Sequence, residues 1–351
     1  MNRPISMRVL IVRLGALGDI VHTVPLAAAL RRGLPSSAAV DWVVEERYAG
    51  LLDMVPGLDR RIVLRTRSRP ILAAWRELRR SLRAVSYDVA LDVQGLGKSA
   101  LVARLSGARR IVGFGVPFLR ERWARWLYTE TIDAGRRRHV VDRNLGILGA
   151  VGVTDRAWSF PIRIGAPSPV EASRGGDYIV INPNAAWATK RWPPERYGAV
   201  AEHVGRVHGL PCVVIWGPDD EARAAAVVAA AGGAAALAPP TGLAELASLL
   251  RAAALLVSGD TGPLHLAAAL GTPVVGLYGP SDPARNGPWS PEDEVVSAFP
   301  DCTCAARRAA AGRPVHMVRR CRAGTTCLEA LTADRVCAAV DRRLGSTLQH
   351  A

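Results

Sequence analysis

Six side chains stand where an apolar run gives way to a glycine-rich or polar bend: Asp19, Lys98, Lys190, Glu221, Asp260 and His265. The densest stretch is 258–283, SGDTGPLHLAAALGTPVVGLYGPSDP. An apolar run, Leu255-Leu256-Val257, ends in Ser258-Gly259-Asp260-Thr261-Gly262. Pro263 opens a helical run to Leu270, Gly271-Thr272-Pro273 stops it, and a second strand runs Val274 to Tyr278. Strand, glycine bend, first-turn proline and buried strand together present free backbone N–H groups to an anion. Asp260 and His265 stand beside that site, so the layout suits a phosphorylated ligand with a polar group handled next to it.

Asp19 closes the run Arg13-Leu14-Gly15-Ala16-Leu17-Gly18-Asp19, where the first strand ends and a helix follows from Ile20. Two glycines three apart are too few for the dinucleotide fingerprint, and no P-loop is present. A carboxylate at a helix N-terminus is favoured in its ionised form, which suits a general base. The same position suits a plain N-cap, and local sequence leaves both readings open. Lys98 and Lys190 are the only lysines among 45 basic residues. An ammonium is a compact point charge suited to phosphate, where Arg is a planar fork. Both lysines fall in motifs: DVQGLGKS at 92–99, and the loop from Asn182-Pro183-Asn184 to Lys190-Arg191-Trp192-Pro193. Glu221 follows Ile215-Trp216-Gly217-Pro218-Asp219-Asp220. An acid past a strand end commonly holds ribose hydroxyls, and equally serves as a first-turn residue.

The elements that must position these groups alternate along the chain. Strands are expected at 7–14, 39–45, 60–65, 87–93 and 109–114, then at 177–182, 211–216, 255–258 and 273–278. Helical patterns lie at 21–32, 70–84, 195–208, 219–231 and 243–253. Nearly continuous apolar strands mark parallel sheets covered on both faces. Residues 165–176, GAPSPVEASRGG, break the pattern as a linker. The reading is an α/β chain of two Rossmann-like, doubly wound domains, with ligands at the carboxyl ends of the strands and a cleft between the domains. Residues 1–165 form the first domain, 166–176 the linker and 177–330 the second, with a C-terminal helix over 331–351 packing back toward the first.

At 351 residues, 49% hydrophobic and 22% charged, the composition is that of a folded two-domain protein rather than a disordered one. No apolar stretch reaches a membrane span; the nearest, the Ala-rich run 224–238, reads as a surface or packing helix. The start lacks an apolar signal region, so a cytoplasmic location is expected. The net charge of +14 is uneven: residues 1–165 hold 28 Lys+Arg against 14 Asp+Glu, and residues 166–351 hold 17 of each. A polyanionic partner or acidic membrane surface met by the first half fits that asymmetry. A non-catalytic binder of nucleic acid or anionic polymer is the alternative of another class. No zinc finger, RNA-recognition aromatic pattern or recognition helix supports it.

An N-terminal GxxGD, a loop lysine before Trp-Pro, a Gly-Pro turn followed by acids, and the DTGxxHLAAALGTPVVxLYGPxDP block occur in this order. Together they resemble the bacterial ADP-heptose:lipopolysaccharide heptosyltransferases, glycosyltransferase family nine, over essentially the whole chain. DVQGLGKS and Leu119-Arg120-Glu121-Arg122 resemble heptosyltransferase I more than heptosyltransferase II. The resemblance implies a GT-B fold and an inverting, metal-independent transfer from ADP-heptose to Kdo–lipid A, without a cofactor, at the cytoplasmic face of the inner membrane. A heptosyltransferase II-type or other nucleotide-sugar transfer is the runner-up. It further implies that Asp19 is the base, and that Lys190 and the amides of Thr261 and Gly262 hold the diphosphate. Asp260 would bind hydroxyls of the transferred sugar, Glu221 the ribose and the backbone near Thr241 adenine, with His265 in a helix-positioning or phosphate-neighbour role. Lys98, Arg120 and Arg61 would bind acidic groups of the acceptor.

Two features stand outside this scheme. Residues 117–128, PFLRERWARWLY, place Leu119, Trp123, Trp126 and Leu127 on one helical face, read as an amphipathic helix packed on its own domain; the other reading is a membrane-surface helix. Cys302, Cys304, Cys321 and Cys327 lack the paired CxxC spacing of zinc modules. They read as structural free thiols, with zinc ligation by the four as the other reading.

Overall fold

The computed structural model describes residues 7–135, 139–165, 177–311, 321 and 327–348; the expected linker lies outside them. The chain forms two compact units, Met1–Arg163 and Ile164–Ala351. Among the described residues no helix is long and apolar enough to cross a membrane.

The first unit is built on β1 (Arg8–Val12), β2 (Ala39–Glu45), β3 (Arg60–Leu64), β4 (Val89–Asp92), β5 (Arg110–Phe114) and β6 (Glu130–Ile132). All pair in parallel, in the order β3-β2-β1-β4-β5-β6. β1 and β4 are buried along nearly their whole length, as near-continuous apolar runs require when helices cover both faces. The helices are α1 (Leu17–Val21), α2 (Val24–Gly33), α3 (Ala49–Asp53), α4 (Ile71–Arg83), α5 (Gly97–Leu105) and α6 (Val140–Gly146). The helix expected at 21–32 forms as α2, preceded by a separate short helix, α1. Pro25 falls in the first turn of α2, where its missing N–H costs nothing, so the chain restarts there.

The second unit repeats the plan with β7 (Ile179–Asn182), β8 (Cys212–Val214), β9 (Ala235–Leu237), β10 (Leu255–Gly259), β11 (Val274–Tyr278) and β12 (Glu294–Ser297). Its parallel order is β12-β11-β10-β7-β8-β9. Its helices are α7 (Pro194–His208), α8 (Glu221–Ala229), α9 (Leu243–Ala252), α10 (Gly262–Leu270), α11 (Pro283–Asn286), α12 (Thr303–Ala310) and α13 (Ala333–Leu348). The Ala-rich run is not one helix: α8 ends at Ala229, Gly232 and Gly233 adopt positive φ, and β9 follows. α13 packs on α7, β11 and β12, and its Val336, Ala339 and Val340 join the second unit's core.

Candidate functional site

Each sheet has one place where the strand order turns back, between β1 and β4 in the first unit and between β7 and β10 in the second. Loops leave in opposite directions there and open a crevice beyond the strand ends, the usual ligand position in doubly wound sheets. Asp19 and Lys98 lie at the first of these places, and Lys190, Asp260, Thr261, Gly262 and His265 at the second.

In the first unit Asp19 is the third residue of α1; the N-cap is Ala16, so the N-cap reading of Asp19 does not hold. Its carboxylate is 37% exposed, with Oδ1 2.7 Å from Nη2 of buried Arg13 and Oδ2 accepting from the Ala16 N–H at 3.3 Å. Arg13 is anchored in turn, donating to the Val93 carbonyl at 2.6 Å. Below Asp19, the Thr23 hydroxyl donates to its carbonyl, and Asn144 of α6 donates to the His22 carbonyl. These contacts orient an exposed carboxylate from a fixed base.

The β4–α5 loop sits alongside. Gln94 Oε1 accepts from the Leu14 N–H at 2.7 Å, joining the two strand ends. Fully buried Asp92 accepts from Ser99 and Tyr128 hydroxyls and from the Gln94 and Gly95 amides. Burial pushes its carboxyl up, and those bonds oppose the shift. Lys98, in the first turn of α5, reaches Glu45 at the end of β2 at 2.7 Å. Glu121 accepts from the Gly97 N–H at 2.8 Å, bringing the Arg120 loop to the same helix end. A Cβ on Gly97 would lie 1.8 Å from the Trp123 ring, so this docking requires glycine. Half-buried Tyr48 lies alongside, with Arg47 over its ring at 4.7 Å; burial pushes its phenol up. Arg61 stands apart, within β3 and paired with Asp53 at 3.3 Å.

The segment 117–128 differs from expectation. It forms two 3-10 turns, Val116–Phe118 and Arg122–Leu127, rather than one amphipathic helix. Leu119 is buried and Trp123, 55% exposed, lays one side of its ring on Gly97, but Trp126 is 86% exposed, so the reading of a stripe packed on its own domain fails for Trp126.

In the second unit the candidates lie past the ends of four strands. Asn182, last in β7, donates to Ser258 Oγ at 3.0 Å and to Thr261 Oγ1 at 2.9 Å. Thr261 is the N-cap of nine-residue α10, whose first-turn amides have no intrahelical acceptor. α10 is buried at Leu264, His265, Leu266, Ala267, Ala268 and Leu270, which fixes this turn. Lys190 is 13% exposed and donates to both the carboxylate and the carbonyl of Asp260, with its ammonium 5.0 Å from the Trp187 ring centroid. Asp260 also accepts from Asn286 and lies 3.1 Å from His265 Nε2. Burial alone would push the Asp260 carboxyl up. The Lys190 charge and the His265 contact outweigh it and hold the group well below the usual range.

The side chain expected to take sugar hydroxyls is therefore 3% exposed and engaged by the chain's own groups. It positions Lys190 at the head of α10, and His265 serves as its helix-borne support. Glu221 opens α8 beyond β8 and is exposed; Thr241 follows β9. Trp216 donates to the Ala238 carbonyl at 2.8 Å and joins those two loops.

Arg13, Gln94, Asn182 and Asn286 are the positioning groups that sequence reasoning missed. The signal for Arg13 and Asn182 was a polar residue directly ending an otherwise apolar strand. The cysteines form a small satellite core: Cys302 and Cys304 are buried, Cys304 and Cys321 sulfurs lie 3.8 Å apart, and Cys327 packs against them. All six cysteines are free, and burial with neighbouring Cys302 pushes the Cys327 thiol up to about 12.

Comparison with known proteins gives a consistent set. The family model "Glycosyltransferase family 9 (heptosyltransferase)" matches residues 75–313. Lipopolysaccharide heptosyltransferase 1 of Pseudomonas aeruginosa is 29% identical over 313 residues, 85% of this chain and 86% of that protein. Its namesake in Salmonella typhimurium is 32% identical over 306 residues, 84% and 95% respectively. Among solved structures, E. coli heptosyltransferase WaaC with ADP superposes with a TM-score of 0.75 at 27% identity, covering 96% of this chain and all of that one. WaaC with ADP-2-deoxy-2-fluoro heptose gives 0.72 at 26%, covering 97% and 100%.

Proposed function

This chain belongs to glycosyltransferase family 9 and has the GT-B fold, and from that premise we propose that it transfers heptose from ADP-heptose to the Kdo–lipid A inner core of lipopolysaccharide. The observation that carries the reading is the pairing of two prepared strand-end sites, one per sheet. One holds an oriented carboxylate, Asp19; the other holds a lysine over an open helix turn, Lys190 above Thr261 and Gly262.

The reaction is an inverting displacement needing no metal and no cofactor. Asp19 takes the proton of an acceptor hydroxyl as its oxygen forms the new bond to the anomeric carbon. The bond from that carbon to the diphosphate breaks, and ADP leaves. The Thr261 and Gly262 amides and Lys190 stabilise the charge gathering on the leaving diphosphate, as preorganised donors do. Asp260 uses two of the three Lys190 N–H groups, which leaves one for a phosphate oxygen. Glu221 receives the ribose, and the backbone near Thr241 the adenine.

Lys98 and Arg120 bind acidic groups of the acceptor, and Arg61, apart from them, contributes less. The basic surplus of residues 1–165 and exposed Trp123 and Trp126, with exposed Ile71 and Leu72 on α4, support peripheral contact with the anionic inner-membrane surface. The protein is then a cytoplasmic enzyme working at that face.

Turnover of ADP-heptose on Kdo–lipid A, with product analysis against other nucleotide sugars and a heptosylated acceptor, tests the reading. Product only from another donor, or only on an already heptosylated core, would replace it.

A further inference from the structure

The second unit carries a group of ligating side chains that the transfer reaction does not use. His203 and His208 of α7 both point Nε2 at the same oxygen of Asp341 on α13, at 2.8 and 2.7 Å. All three potential ligand atoms lie within 4.8 Å of one another. The imidazoles are 20% exposed and the carboxylate 41%, so an ion and its water can enter. His208 is the last residue of α7, and Gly209 at φ +67° turns the chain away there. The two rings lie 6.2 Å apart at 66°.

We propose that His203, His208 and Asp341 bind a borderline divalent transition-metal ion, of the Zn2+ or Ni2+ class, that clamps the C-terminal helix to α7. Two imidazoles and a carboxylate form a donor set suited to such ions rather than to Mg2+ or Ca2+. For ligand bonds of about 2.0–2.1 Å in a tetrahedral arrangement, the N···O contacts widen to about 3.3 Å and the two Nε2 atoms, now within 4.8 Å of each other, settle at about the same separation. Each imidazole then presents the Nε2 lone pair and carries its proton on Nδ1; the displaced Nε2 protons pass to solvent.

The fourth position falls to water. A cavity of ≈ 420 Å³ adjoins the cluster, lined by His203, Asp341, Glu202, Arg206, Asp334 and Cys337. Cys337 lies one helical turn before Asp341, but burial and the charges of Asp341 and Asp334 push its thiol up to about 11. The charged groups lining the cavity are Glu202 and Arg206 from α7 with Asp334 and Asp341 from α13, and Arg342 also lies in the field of Asp341. The C-terminal end of α7 leads into β8, so the cluster sits at the amino edge of the sheet, the end opposite Lys190 and Thr261. The clamp is thus separate from transfer.

The test uses the full-length protein stripped with chelator and titrated with Zn2+, and with Co2+ as an optical probe, at pH 7.5. One equivalent should bind, with affinity reduced at least tenfold in His203→Gln and in His208→Gln and unchanged in Cys302→Ser/Cys304→Ser. The ion should raise the melting temperature of the wild type. Bound Co2+ should show a nitrogen–oxygen spectrum in the wild type, a readout independent of how well the variants fold. Sulfur-to-cobalt charge transfer would place the ion on cysteines and overturn the proposal. So would undiminished binding in both histidine variants, or none in the wild type.

Discussion

Replacing Asp260 by Asn tests the reading of that carboxylate as the support of Lys190. The side chains of the pair are 3% and 13% exposed, so solvent screens them little. Removing one partner of a buried ion pair costs about 3–5 kcal/mol, because the other is left uncompensated. The Asp260 carbonyl, 3.1 Å from the ammonium, retains part of the interaction and favours the lower end, about 3 kcal/mol. In a unit of this size that lowers the melting temperature by roughly 6–12 °C. Lys190→Met should cost less, since His265 and Asn286 still face the carboxylate. The double variant should cost less than the two singles together, with a coupling of at least about 1.5 kcal/mol. Calorimetry resolving the transitions of the two units supplies these values, and ADP titration should show about a tenfold weaker complex for Asp260→Asn. The pH dependence has a definite sign. A carboxyl held below its unfolded value adds stability that is complete above about pH 4 and is lost as the pH falls toward the folded value. The gap between wild type and Asp260→Asn should therefore narrow only below about pH 4. A coupling under about 0.5 kcal/mol, or a gap that closes near neutrality, refutes the supporting role.

Asp19→Ala should reduce turnover by about a hundredfold or more while ADP still binds; near-normal rates in a steady-state assay exclude it as the base. Lys98→Ala should raise the acceptor KM and leave ADP affinity unchanged, with a smaller effect from Arg61→Ala; equal effects of the two would undo the distinction drawn from their partners. Trp126→Ala should weaken sedimentation with anionic vesicles and spare turnover on a detergent-dispersed acceptor, whereas unchanged vesicle binding removes that tryptophan from the membrane contact.

Nine of the twelve strands among the described residues were legible because parallel strands buried on both faces read as unbroken apolar runs. The three that were not, β6, β9 and β12, have three or four residues, and β6, β9 and β12 all lie at sheet edges. β9 reads Ala-Ala-Leu, so pairing with β8 decides a segment whose residues favour helix. Asp19 and Lys190 stood out by type and by the bends they occupy. What they touch did not, because Asp19 meets Arg13 across a loop and Lys190 meets Asp260 from 70 positions away. The engagement of Asp260 could not be read locally: DTG looks the same whether its carboxylate faces a ligand or the protein's own lysine. The separation of Arg61 from Lys98 likewise depends on which acid each finds in the folded sheet.

The two turning points share a detail of construction. In each sheet a neutral carboxamide crosses from one central strand end to the other: Gln94 to the Leu14 amide, Asn182 to Ser258 and Thr261. The ladder of a parallel sheet stops at the last paired residue, and these amides carry the lacing one step further. A carboxamide has no charge for counterions to screen and no proton to lose near neutrality. These carboxamide links between the strand ends are therefore insensitive to ionic strength and to acidity near neutrality, although the surface around them carries the excess of a +14 chain. Salt can change how such a protein meets an anionic surface without loosening these links.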